Sequence, residues 1–158
     1  YVPTPPPAPP PPVPVSPVQI GVGYKIGNGI GFAGGDLIVV LAGRLHLDLQ
    51  ANYLSSGDAK GYGLAPTLQY HVASPGEDGV YVGAGIQYAQ LSMGDITASG
   101  TGVVANVGYS WRWRSGLGVL LGGGVQHMPE ASATDGVNTV TRKGGTTLNL
   151  ELGVRYFF

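Results

Sequence analysis

The strictest constraint on this chain is the alternation in its last thirteen residues, 146–158, which read T-T-L-N-L-E-L-G-V-R-Y-F-F. Leu148, Leu150, Leu152, Val154, Tyr156 and Phe158 share one parity; Asn149, Glu151, Gly153, Arg155 and Phe157 share the other. Successive side chains of a strand point to opposite faces, so the stretch presents one continuous apolar face and one mostly polar face carrying a carboxylate and a guanidinium. A helix would scatter those charges around its surface. A period of two held this long predicts an extended strand.

The composition of the chain points the same way. Its 28 glycines and 13 prolines in 158 residues leave little room for long helices, so the fold class is all-β. Charged residues are 11% of the chain, against roughly 25% in a typical soluble domain. Something other than charge keeps it dispersed, and lipid is a candidate. A net charge of −1 without a basic stripe gives nucleic-acid binding no electrostatic support. The absence of cysteine removes disulfides, thiolate metal sites and cysteine nucleophiles, and is compatible with an oxidising envelope compartment. The longest apolar runs, 37–43 and 117–125, fall far short of the roughly 20 residues a membrane-spanning helix needs. If the chain crosses a bilayer, it does so as a closed barrel. It starts at Tyr1 with neither Met nor an apolar signal core, so a secretion signal is expected to have been removed.

Two units follow from the order of residues. Residues 1–17 hold ten prolines, including the run 9–12, and no charge. They read as a polyproline II segment, reaching on the order of 50 Å at about 3.1 Å per residue, that cannot pair in a sheet. Such a segment is either a spacer or a docking peptide for a groove or another envelope protein. Residues 18–158 read as eight strands. Gln19 to Ile26 alternates, and 36–42 is a plain apolar run closed by a turn near Gly43. In 44–53, Leu45, Leu47 and Leu49 alternate with Arg44, His46 and Asp48. Tyr62, Leu64, Leu68, Tyr70 and Val72 define a strand interrupted by Pro66, where a bulge is expected because proline cannot donate to the ladder. Val80 to Tyr88 follows the loop 73–78. Residues 101–114 and 117–128 flank a tight turn at Ser115-Gly116. A seven-strand alternative has one long strand over 37–53. Eight is favoured, because a single-chain barrel has an even strand number and the length allows about 9–11 residues per tilted spanning strand.

The aromatic residues on the apolar parity sort by depth. Tyr70, Tyr109, Trp111, Trp113, Tyr156 and Phe158 fall at the strand ends nearest the chain termini, and Tyr24, Tyr53, Tyr62 and Tyr88 at the opposite ends. Two aromatic rings flanking an aliphatic band suit a membrane's two interfaces. The connections at the far ends, 55–60, 92–100 and 129–145, include the two longest, whereas 114–116 is minimal. The ending Val154, Tyr156, Phe158 resembles the assembly signal of bacterial outer-membrane β-barrels, a strand of alternating apolar residues closed by Phe. With the length and the aromatic sorting, residues 18–158 resemble the small eight-stranded OmpA/OmpX-type family. That resemblance implies a transmembrane antiparallel up-and-down barrel in the bacterial outer membrane, with both termini periplasmic. It implies outer-membrane lipid as surroundings and recognition by the barrel-assembly machinery during biogenesis. No peptidoglycan-binding domain follows the barrel, so no wall anchor is expected.

The polar parity then faces a lumen, and the charges expected there are Lys25, Arg44, His46, Asp48, Arg112, Glu151 and Arg155. Closing the barrel pairs the first strand with the last; aligning Gln19 with Tyr156 puts Lys25 opposite Leu150 and beside Glu151, so that the two charges offset each other's burial. Catalytic chemistry finds little support. Some barrels of this size modify lipid A, and a lipid A deacylase uses a Ser-His-Glu arrangement. Here His127 is followed by Met128, Pro129 and Glu130, with no serine two positions on. His46 and Asp48 share a face but have no third partner, and no cluster has metal-ligand spacing. The segment Gly27-Asn28-Gly29-Ile30-Gly31 is a turn rather than a phosphate loop, for want of a strand-then-helix context. No cofactor is expected. The chain reads as a non-enzymatic structural, anchoring or surface-interaction component of the envelope. The alternative is a narrow pore, disfavoured because eight strands enclose a space only just wide enough for side chains.

Overall fold

The computed structural model describes residues 19–27, 33–73 and 78–158; the proline-rich segment and most of the 27–31 turn lie outside them. Eight strands follow one another: β1 Gln19–Ile26, β2 Ala33–Ala42, β3 Leu45–Ser56, β4 Ala59–His71, β5 Gly79–Met93, β6 Ile96–Arg112, β7 Leu117–Thr134 and β8 Thr139–Phe157. Each pairs antiparallel with its sequence neighbour, and β1 pairs with β8, closing the barrel. A turn at Gly43 and Arg44 separates β2 from β3, so the seven-strand alternative does not hold.

Side-chain alternation becomes an inside and an outside. Along β4 buried and exposed residues alternate through Gly61, Gly63, Ala65, Thr67 and Gln69 inside and Tyr62, Leu64, Leu68 and Tyr70 outside. In β8 the same alternation starts at Asn149 and continues to Phe157. The outer face is aliphatic and aromatic, and the buried face is largely polar, the reverse of a soluble domain.

Three local expectations are corrected. Pro66 makes no bulge: β4 keeps one register against β3 through Leu49↔Pro66, and against β5 from Leu64↔Tyr88 to Thr67↔Gly85. The ladder to β5 simply skips Ala65 and Pro66, because a missing N–H costs a rung without inserting a residue. Gly85 lies across this gap, and a Cβ there would overlap the Pro66 carbonyl oxygen. Register shifts occur instead between Val40 and Ala42 and between Thr101 and Val103.

The long far-end connections are also not loops. β5 and β6 stay paired to Met93↔Ile96, and β7 and β8 to Thr134↔Thr139, so that residues 57–58, 94–95 and 135–138 are the turns of these three hairpins. No side chain of these stretches is buried: the far ends of β5, β6 and β7 are largely half-exposed, and the first ten residues of β8 are exposed on both faces. Backbone pairing holds them, with hydroxyl pairs across the ladder at Ser92 and Thr97 and at Ser132 and Thr141. At about 3.3 Å per residue, strands this long outrun a hydrocarbon core about 30 Å thick, so the hairpins project beyond it.

The closing seam has a different register from the expected one. Gly21 faces Phe157 and Lys25 faces Gly153, three residues further along β8 than Leu150. Directly opposed residues must share a face, and Leu150 points outward while Lys25 points inward, so the observed register is the one that keeps both parities.

Candidate functional site

The lumen is the candidate site, and its centre is a five-member ion cluster. Lys25 projects from β1, Asp36 from β2, Asp48 from β3, and Glu151 and Arg155 from β8, all buried. Lys25 Nζ lies 2.8 Å from Asp48 Oδ2 and 2.8 Å from Glu151 Oε2. Arg155 donates from Nε to Asp36 Oδ2 at 2.7 Å and from Nη2 to Asp48 Oδ2 at 2.5 Å. Neutral donors add to Asp48 and Glu151, while Asp36 Oδ1 and Asp48 Oδ1 are buried without a hydrogen-bond partner. Gln69 Nε2 donates to Asp48 at 2.9 Å, Asn106 Nδ2 to Glu151 Oε2 at 3.2 Å, and the Tyr81 hydroxyl to Glu151 Oε1. Tyr81 reaches across from β5 to β8 because Gly122 gives it room; a Cβ on Gly122 would overlap the phenol oxygen.

Hydration is lost by every one of these charges, which costs several kcal/mol per ion unless partners replace water. Here each charge meets at least one opposite charge, and Lys25, Asp48 and Arg155 each meet two, so the cluster is worth most as a unit and leaves a costly remnant if one member is removed. On the terminal side of the cluster Ile38, Val40 and Phe157 pack into an apolar plug. The rings of His46 and His71 stack there, with centroids 3.9 Å apart, and His71 stands 5.5 Å from the Tyr81 ring.

The expected lumen charges are only partly brought together. Lys25, Asp48, Glu151 and Arg155 form the cluster. His46 is buried but contacts the Gly43 carbonyl oxygen at 3.2 Å rather than Asp48, whose Oδ2 is occupied by Lys25, Gln69 and Arg155. Arg112 sits at the terminal rim, its Nη2 donating to Gln19 Oε1 at 2.8 Å. Arg44 is exposed at the β2–β3 turn, where no strand neighbour directs it inward. Asp36 and Tyr81 are the members that sequence reasoning missed. Asp36 was hidden at the head of an apolar run, and Tyr81 was legible from its parity opposite Val80 and Val82.

On the outside, Tyr24, Tyr53, Tyr62, Tyr70, Tyr109, Trp111 and Trp113 are exposed, while Tyr88 is half-buried against Tyr62. The Tyr62 and Tyr88 hydroxyls both donate to Gln90 Oε1 at 3.0 Å. At the opposite end Tyr109 packs on Trp111 and Tyr156 on Phe158. Outside the lumen, His127 Nδ1 lies 2.8 Å from the Thr146 hydroxyl opposite it. Among the described residues no three His, Asp or Glu side chains are grouped as a metal site.

No family model matches the sequence, and no curated protein matches it. Among solved structures the chain is similar to the N-terminal β-barrel domain of Pseudomonas aeruginosa OprF, with a TM-score of 0.58 and 18% identity over 89% of this chain and 96% of that one. The fold is that of the small outer-membrane β-barrels. Two further structures of this kind are similar. Neisserial surface protein A gives a TM-score of 0.52 at 16% identity, over 89% of this chain and 96% of that one. A major outer membrane protein from Thermus thermophilus gives 0.51 at 15%, over 89% of this chain and 99% of that one. At such identities the common element is the closed outer-membrane barrel, whose outward apolar band and filled interior the present chain builds from its own residues.

Proposed function

We propose that this chain is a non-enzymatic outer-membrane β-barrel that serves as a structural or surface-interaction component of a bacterial envelope, with its termini on the periplasmic side. The observation that carries the proposal is its sidedness. Lys25, Asp36, Asp48, Glu151 and Arg155 are enclosed, while the outer surface offers Leu64, Leu68, Val82, Ile86, Val103, Val107 and Leu121 between two aromatic girdles. Such a surface is stable only against hydrocarbon. Outer-membrane lipid is therefore its constant partner, and the Val154, Tyr156, Phe158 ending suits recognition by the barrel-assembly machinery. The projecting hairpins of β5 to β8 supply the surface available to other molecules.

The lumen favours a closed plug over a pore, because the ion cluster and the Ile38, Val40, Phe157 layer fill it in series. Planar-bilayer recording tests this reading: the purified protein is expected to insert without stable conductance steps. Reproducible single-channel openings would make it a narrow pore instead. An ester-hydrolase reading would require a carboxylate on the His127 ring, and the described residues give that ring only Thr146.

A further inference from the structure

The far half of β8 has a strand on one side only. Towards β7 its register runs unbroken from Leu117↔Tyr156 to Thr134↔Thr139. On the other side β1 meets it only from Gly21↔Phe157 to Ile26↔Leu152, and among the described residues no strand lies along the remainder. The direction of each backbone group follows from the end of the strand. Phe157 N donates to the Gly116 carbonyl, towards β7, and Phe158 N to the Ile20 carbonyl, towards β1. Backbone groups alternate sides along a strand, so Val140, Arg142, Gly144, Thr146 and Leu148 turn their N–H and C=O groups to the open edge. Residues 139–148 are exposed throughout, whereas a Cβ on Gly27 would overlap the Leu150 carbonyl, so that carbonyl is already crowded. The edge open to another chain is therefore 140–148.

An open edge of this length is a template for a further strand, and its own residues select which one. Two copies pairing antiparallel share a twofold axis normal to the sheet, and the residue on that axis sets the register. An axis at Arg142 or Lys143 puts Arg directly opposite Arg or Lys opposite Lys, and like charges so placed are destabilising. An axis at Gly145 sets Arg142 against Leu148 and draws in Leu150, whose carbonyl Gly27 crowds. An axis at Gly144 avoids both faults: Arg142 meets Thr146, Lys143 meets Gly145, and Val140 meets Leu148. Every residue with its backbone turned to the edge then faces another of the same kind. Such pairs exchange two hydrogen bonds each, giving roughly ten across the joint, about as many as a typical protein interface carries. In each copy β8 runs from its hairpin to the terminal rim, so copies in one membrane present this edge in the same direction. Antiparallel edges come from two membranes that face each other.

We propose that residues 140–148 of β8 pair antiparallel with the same residues of a second copy in a facing membrane, making the projecting hairpin a homotypic membrane-to-membrane contact; this rests on the chain being an outer-membrane barrel whose hairpins project. The chain has no cysteine, so Val140→Cys and Thr141→Cys each accept one nitroxide label. In detergent micelles the axis at Gly144 sets the two labels about 27 Å apart at position 140 and about 20 Å apart at position 141, at about 3.4 Å per residue along antiparallel strands. Monomers without dipolar coupling, or labels equally close at both positions, would overturn the proposal. The full chain is next reconstituted into two vesicle populations carrying different dyes, which are expected to tether to one another. Thr146→Pro removes an N–H turned to the open edge and leaves the β7 ladder whole, so tethering should be lost while the unheated gel mobility stays that of the folded barrel. Vesicles that hold the folded barrel yet stay apart, or that tether equally well with Thr146→Pro, would overturn the contact and leave the barrel reading standing. Failure of the chain to insert into vesicles at all would overturn both.

Discussion

Replacing Lys25 with Met tests whether the lumen cluster acts as a unit. Lys25 is fully buried and bridges Asp48 and Glu151 at 2.8 Å each. Met fills most of the same volume, so the change is chiefly electrostatic. It leaves Asp36, Asp48 and Glu151 facing Arg155 alone. Breaking a buried ion pair from one side costs about 3–5 kcal/mol, or roughly two to four orders of magnitude in the folded-to-unfolded ratio. Urea unfolding in lipid vesicles, followed by tryptophan emission and the gel shift of unheated protein, measures it by linear extrapolation. Glu151→Gln added to Lys25→Met removes the stranded charge while keeping an acceptor for Tyr81. The double variant should therefore lose less than the sum of the single losses, by roughly 0.5–3 kcal/mol. Glu130→Gln serves as a control, being exposed and opposite Lys143 on the projecting hairpin, and should change stability by less than about 1 kcal/mol. A Lys25→Met loss within about 0.5 kcal/mol of wild type, or strict additivity in the double variant, would refute the argument that the cluster is one interdependent unit.

Gly85→Ala should destabilise the barrel by about 1–3 kcal/mol in the same assay, since its Cβ would press on the Pro66 carbonyl, whereas Gly145→Ala, which meets nothing within 4 Å, should be neutral; equal effects would discard the close-approach argument. Deleting Phe158 should reduce assembly into vesicles supplied with the assembly machinery more than replacing the turn 135–138 with Asn-Gly does. Equal tolerance of the two changes would remove Phe158 as a recognition residue. At that turn, backbone N–H groups of Asn138 and then Val137 hold the Asp135 carboxylate below the ordinary value of 3.8. The order it lends the turn is therefore complete above 3.8 and is lost as pH falls through the lower folded value. Amide shifts of Val137 and Asn138 followed by NMR should titrate below 3.8, and a midpoint at or above it would contradict the cap.

Alternation is a local property of an extended chain, which is why so much of the barrel was legible in the order of its residues. The two-residue period of Leu148 to Phe158 assigned every side chain there to one of two faces, and the same period placed Lys25, Asp48, Glu151 and Arg155 together on one of them. Parity is silent, however, about which face is enclosed. Closure decided that, by surrounding the polar parity with eight strands and leaving the apolar one outside. The seam register was equally beyond reach, because it depends on the stagger accumulated around the whole barrel and not on β1 and β8 alone. Residues 92–100 and 129–145 read as loops because both their faces are wet and no hydrophobic period marks them; strand pairing there comes from neighbours already aligned below. Asp36 was lost in an apolar run until Arg155, 119 positions away, was brought within 2.7 Å. Contacts of that range exist only once the chain is closed on itself, so the ion cluster belongs to the tertiary structure even though every parity that builds it is written in the sequence.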